Sequence, residues 1–130
     1  MEISIAGFFG NSPRRDLSFL RDFAQTVEGL GFRSLALPEH VVFFTSYESD
    51  YPYTDDGEPN WGPDTGIFDP LFCAQAAAHA TTTLRFITGV LILTQRPALL
   101  TAKEVLTLDH FTNGRFELGG GSGWSWEEYE

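Results

Sequence analysis

The chain alternates a short extended apolar run with a helical one, over and over, and that order constrains its fold more than any single residue does. Residues 2–9 set Ile3 and Ile5 at strand spacing and run into Phe8-Phe9. Gly10-Asn11-Ser12-Pro13 reads as a loop. Asp16 can cap a helix in which Leu17, Leu20, Phe23, Ala24, Val27 and Leu30 recur at helical spacing, and Gly31 can close it in the left-handed conformation. Ser34 to Leu37 is a second strand, stopped by Pro38. After a long irregular segment, Asp69-Pro70 opens an Ala-rich helix through Ala80, with Asp as N-cap and Pro at the first helical position. Leu84 to Leu93 is a nearly unbroken apolar run, as a parallel strand buried on both faces requires. Arg96-Pro97 precedes a third helix carrying Leu99, Ala102 and Leu106. Thr112-Asn113-Gly114 turns the chain into a fourth strand, Arg115 to Leu118.

The order β-α-β-loop-α-β-α-β predicts an α/β fold with a parallel sheet and right-handed crossovers. An open doubly wound sheet and part of a closed barrel both satisfy it, and periodicity does not choose between them. With 130 residues, 42% hydrophobic and 15% aromatic, the chain can bury a core within one domain. No stretch approaches the roughly 20 apolar residues of a membrane span. Met1 to Ile5 lacks a basic n-region and reads as a strand rather than a signal peptide. A lone cysteine, Cys73, excludes an internal disulfide framework and fits a reducing, cytoplasmic compartment.

A net charge of −10 argues against nucleic acid, whose phosphates need clustered Lys and Arg. No Lys or Arg lies between Arg33 and Arg85, whereas eight carboxylates do. Two readings stay open: a solvated loop, or one that repels anions or recruits a cationic partner.

Ligands of parallel α/β folds bind at the carboxyl ends of the strands. That rule selects Gly7-Phe8-Phe9-Gly10, Pro38-Glu39-His40, Thr88-Gly89-Val90 and Gly119 to Trp124. His40 alone among three histidines sits at a strand end, where it can serve as general acid or base or be a plain loop residue. His79 and His110 fall within helices and read as structural. Three scattered histidines and one cysteine have no metal-ligand spacing, so no metal site is expected. Glycines 119–121 and 123 lie too late in the chain, without the acidic residue about 20 positions on, for a dinucleotide-binding turn. They can instead leave room for a flat ring system against the backbone. Gly121-Ser122-Gly123 lacks the five-residue nucleophile elbow of a hydrolase.

Several segments, in order, resemble the luciferase-like monooxygenase family: Ser34-Leu35-Ala36-Leu37-Pro38-Glu39-His40-Val41, Thr88 to Leu93 with Arg96-Pro97, Thr107-Leu108-Asp109, and Gly114 to Trp124. Tyr47-Glu48-Ser49, Tyr51-Pro52-Tyr53 and Asp56-Gly57 are similar to its branch that uses the deazaflavin coenzyme F-420. The resemblance implies a TIM (β/α)8 barrel of which residues 1–130 are the first four β/α units, with residues 38–68 as a long active-site loop. It implies a hydride-transferring oxidoreductase acting on a small organic substrate with F-420. FMN-dependent monooxygenation and a non-catalytic half-barrel partner subunit are the alternatives. His40 is then expected at the reactive carbon of the ring as catalytic residue. Glu39, Gly89, Val90, Gly121, Gly123 and Trp124 are expected against the cofactor, with a non-proline cis peptide at Gly89-Val90. Relatives that oxidise sugar phosphates carry a glutamate where this chain has Trp124, which cannot transfer that proton and so argues against such substrates. The aromatic residues of the loop (Phe43, Phe44, Tyr47, Tyr51, Tyr53, Trp61 and Phe68) point to an apolar substrate or a lid, or equally to a loop packed on itself. A complete barrel takes roughly 250 residues, so association that completes it, or a homo-oligomer, is expected.

Overall fold

The computed structural model describes residues 2–7 and 16–130. Its main sheet has four parallel strands, β1 (Ser4–Ala6), β2 (Ser34–Leu37), β3 (Arg85–Thr88) and β5 (Phe116–Glu117), side by side in that order. Ile5 pairs with Leu35, Leu35 with Phe86, and Phe86 with Phe116. Each new strand joins the same growing edge. The order never reverses, as it must in a doubly wound sheet, so right-handed crossovers carry all three helices over one face. Helix α1 (Leu17–Gly29) contacts α2 (Pro70–His79), and α2 contacts α3 (Ala98–Phe111).

The sequence signals account for the helix ends. Asp16 accepts the Phe19 N–H at 2.8 Å, and Gly31 closes α1 at φ +79°. Leu20, Ala24 and Val27 are the buried stripe of α1; Leu17 and Leu30, at its two ends, are 68% and 71% exposed. Asp69 accepts the N–H groups of Leu71 and Phe72, with Pro70 at the first helical position. Ala74, Ala77 and Ala78 of α2 are buried, and their small side chains let the helix lie close to the sheet, over Leu35, Leu37 and Phe86. Arg115 fastens three elements together. Its guanidinium donates to the carbonyls of Ala78, Leu84 and Thr112 and to the Thr81 hydroxyl.

One expectation is corrected, and the cis peptide that the resemblance implied at Gly89-Val90 is present. The run Leu84 to Leu93 is not one strand. β3 stops at Thr88, the Gly89-Val90 peptide is cis, and β4 (Leu91–Ile92) pairs with β6 (Gly120–Gly121) in a separate two-stranded sheet before a 3-10 turn at Leu93–Gln95. Helix α3 forms where expected, but Leu99, Ala102 and Leu106 face outward, and Thr101 and Leu108 are its buried residues. The chain after Gly123 also forms a 3-10 turn, Trp126–Tyr129, that carried no periodic signal. The expected loop Gly10 to Pro13, and Phe8 to Gly10 of the first strand end, lie outside the described residues. No helix among the described residues is long and apolar enough to cross a membrane.

Candidate active site

At the carboxyl ends of β2, β3 and β5 a cleft of about 460 Å³ opens. Its lining includes the catalytic and cofactor-contacting residues that the resemblance implied: Glu39, His40, Gly89, Val90, Gly121, Gly123 and Trp124. Pro38, Tyr51, Pro52, Tyr53, Trp61, Ile92 and Ser122 complete the lining. The cleft therefore has a side-chain-poor part, built on the Gly89-Val90 bend and the glycines after β5, and an aromatic part supplied by the long loop.

His40 lies where the two parts meet. Its Nδ1 is 2.5 Å from Oε1 of Glu128, whose side chain is 1% exposed. The Trp124 indole N–H donates to His40 Nε2 at 3.4 Å. Rings of Phe43, Trp61 and Trp124 surround the imidazole with centroids 5.2, 5.8 and 5.9 Å away. Gln95 donates to both the backbone carbonyl and the carboxylate of Glu128.

Glu39 lines the cleft and also braces its wall. Its carboxylate accepts the Ile92 N–H at 2.6 Å and the Arg96 guanidinium, bonds that tie the cleft wall to the scaffold. Arg96 also donates to Asp69 at 2.7 Å. Burial alone would weaken the Arg96 charge, but the two carboxylates overcome it and hold the guanidinium more firmly protonated than usual. A strand end, a helix cap and the cleft wall thus share one cation.

The glycine run is also explained by the protein itself. A Cβ on Gly119 would collide with the Thr88 carbonyl oxygen, one on Gly120 with Leu93, and one on Gly121 would come within 2.8 Å of Val90 Cγ2. These glycines let β6 approach the chain between β3 and the 3-10 turn. Gly121 and Gly123 also face the cleft.

The loop of residues 38–68 is folded around its rings. Tyr51 meets Trp61 edge-on at 4.8 Å and Trp124 at 5.1 Å, and Tyr47 lies 5.1 Å from Trp124. The last 3-10 turn clamps the same loop. Glu127 accepts the N–H groups of Glu48 and Ser49 at 2.5 and 2.8 Å, and the Ser49 hydroxyl accepts the Trp126 N–H. Burial opposes ionisation of Glu127, yet its own backbone N–H, those of Ser49 and Glu48 and the Ser125 hydroxyl hold its carboxyl at about 2. Sequence reasoning missed Glu127, Glu128 and Gln95, because 88 residues separate Glu128 from His40 and no spacing rule spans that distance. Among the described residues, no three His, Cys, Asp or Glu side chains group so as to hold a metal ion.

The chain is similar in sequence or in fold to several known proteins. A protein of Mycobacterium tuberculosis without an assigned activity is 33% identical over 116 residues, 88% of this chain and 40% of its own length. A second from the same organism is 30% identical over 105 residues, 81% of this chain and 37% of its own. The chain thus spans well under half the length of these relatives. Among solved structures, a monooxygenase from Streptomyces bottropensis superposes with a TM-score of 0.72 at 21% identity, over 99% of this chain and 35% of that one. The oxygenating constituent of 3,6-diketocamphane monooxygenase from Pseudomonas putida, in complex with FMN, gives 0.70 at 20%, over 95% and 30%. The coenzyme F-420 dependent tetrahydromethanopterin reductase of Methanopyrus kandleri gives 0.60 at 18%, over 94% and 26%. At these identities the structures speak for a shared fold. The family model for luciferase-like monooxygenase matches residues 1–130 throughout, and the chain belongs to that family.

Proposed function

We propose that the cleft is the redox site of an oxidoreductase that moves a hydride between coenzyme F-420 and a small organic substrate. The observation that carries this reading is the convergence of His40, the Gly89-Val90 bend and Gly121 to Trp124 on one cleft. Its volume of about 460 Å³ falls in the range of about 300–1,000 Å³ usual for small-molecule sites. The side-chain-poor part admits a flat ring against backbone, and the rings of Tyr51, Trp61 and Trp124 offer a second apolar surface for substrate. Among the described residues no Lys or Arg lines the cleft, so the ring fits here while the cofactor's phosphate needs a cation from elsewhere.

When bound, the deazaflavin supplies a two-electron hydride carrier. This chain's residues do the rest. Val90 and the glycine backbone back the ring, the aromatic loop excludes water, and His40 takes a substrate hydroxyl proton as hydride leaves the carbon, or returns it in reduction. Glu39 keeps the bend in place from behind.

The remainder of the barrel belongs to the same proposal, as does a reducing, cytoplasmic setting for the buried free thiol of Cys73. A groove of about 520 Å³ beside β5, lined by Leu93, Ala98, Val105, Leu106, Phe116 and Leu118, supports further β/α units on that edge, from the rest of a longer chain or an associated copy. FMN-dependent monooxygenation is the second reading, favoured by the fold shared with the FMN-bound Pseudomonas protein.

Fluorescence titration of the intact protein with F-420 and FMN tests the choice. Saturable F-420 binding, with His40→Ala lowering turnover roughly 10²–10⁴-fold and binding little, is expected. Tight FMN binding without F-420 binding would replace the first reading by the second. Binding of neither ring would leave a non-catalytic subunit.

A further inference from the structure

The geometry points to Glu128 as the positioning residue that makes Nε2 of His40 the proton-handling atom, an inference that rests on His40 being the acid–base residue proposed above. Two partners bracket the imidazole, and their chemistry differs. A carboxylate accepts hydrogen bonds, and an indole N–H can only donate one. Nδ1 lies 2.5 Å from Glu128 Oε1, so the proton of the neutral ring belongs on Nδ1. Nε2 receives the Trp124 N–H, so its lone pair is exposed to that side. The Glu128 carboxylate selects the tautomer, and the indole N–H at the opposite nitrogen is compatible with it.

The two bonds are unequal. Glu128 is buried, gripped by Gln95 from a second element, and held by a short contact. The Trp124 bond, at 3.4 Å, is long and lies in the cleft lining. An incoming hydroxyl therefore displaces the indole and leaves Glu128 in place. During oxidation of an alcohol the hydroxyl proton would pass to Nε2 as the O–H bond breaks, and the carbon bearing that hydroxyl would become a carbonyl by giving up hydride, which the deazaflavin would accept when bound. The resulting imidazolium is stabilised by the Glu128 carboxylate against Nδ1–H. Reduction runs the same transfers backwards, and no further reactant is needed.

The test needs no cofactor for its first readout. In the intact protein, imidazole ¹⁵N–¹H correlation spectra are recorded at a pH where the ring is neutral, with His40 assigned by the signals lost in His40→Asn. The wild type is expected to show Nδ1–H and a bare Nε2. Glu128→Gln offers a donor as well as an acceptor, so an Nε2–H population should appear. Turnover should then fall by about 10²-fold or more, as when an orienting carboxylate becomes an amide and the wrong tautomer results. KM should hold within about twofold, because the loss lies in the transition state. Trp124→Phe should leave the tautomer unchanged. A wild-type Nε2–H ring overturns the inference, and it decides the matter even if the Gln variant does not fold. An unaltered tautomer in a folded Glu128→Gln protein also overturns it. A changed tautomer with undiminished turnover upholds the Glu128–His40 link and removes His40 from the chemistry.

Discussion

Glu39 accepts the backbone N–H of Ile92 at 2.6 Å, which ties the strand end bearing His40 to the short strand that follows the Gly89-Val90 bend. The same carboxylate is neutralised by Arg96, and Arg96 in turn reaches the N-cap of α2 through Asp69. The cleft floor is thus built on a charge cluster whose members cannot be removed singly without cost. Arg96→Met should leave Glu39 and Asp69 without their cation and destabilise the fold by about 2–4 kcal/mol, read by chemical denaturation. Adding Glu39→Gln to that variant should restore part of the loss, since the uncompensated buried charge disappears.

Two glycines should respond in opposite directions to alanine. Gly119 exchanges two hydrogen bonds with the Thr88 side chain, at 2.8 and 2.9 Å, and has no room for a Cβ against the Thr88 carbonyl. Gly119→Ala should cost about 1–3 kcal/mol from forced backbone movement. Gly29 is the last residue of α1 and has nothing within 4 Å of an added Cβ, so Gly29→Ala should gain up to about 0.5–1 kcal/mol. Thermal melts of the two variants check both signs.

Glu28 gives the fold an acid-sensitive joint. Burial opposes its charge, but the N–H groups of Thr83, Leu84 and Thr82 and the Thr83 hydroxyl prevail and hold the carboxyl at about 2. A folded-state value below the ordinary 4.5 means that the stabilisation is complete above that pH and is lost as pH falls towards 2. Glu28→Gln should therefore cost about 1–2 kcal/mol near neutrality, after allowance for solvent screening. The gap between variant and wild type should narrow steadily in denaturation curves taken from about pH 5 downwards.

Cys73 should be chemically silent in the native protein. Burial, assisted by the nearby Asp69 carboxylate, pushes its thiol up to about 11. Too little thiolate exists at neutral pH to react. Alkylation by iodoacetamide should be negligible until denaturant is added; rapid native labelling would show that α2 opens.

What could be read in the sequence was local. Asp16, Gly31 and Asp69-Pro70 mark helix ends through bonds made within three residues, and the structure makes those bonds. The apolar run from Leu84 reads as one strand because Leu91 and Ile92 are apolar and buried like Leu84 and Phe86, while the break between them and Thr88 is a backbone event without a hydrophobic signature. The outward face of α3 escaped notice for a related reason. Leu99 and Leu106 carry core-like side chains, yet among the described residues nothing covers them. The site was legible as a set of strand ends, which is a matter of topology. Its inner partners were not, because Glu128, Gln95 and Arg96 reach it through tertiary contacts of long sequence separation.

Two adjacent glutamates in the last 3-10 turn hold different things: Glu127 grips the long loop at Glu48 and Ser49, and Glu128 grips His40. Adjacent residues on one short turn cannot move independently. The aromatic wall and the histidine are therefore interlocked, and the width of the cleft and the aim of the imidazole form a single degree of freedom. The loop that walls the cleft and the imidazole beside it hang from one anchor.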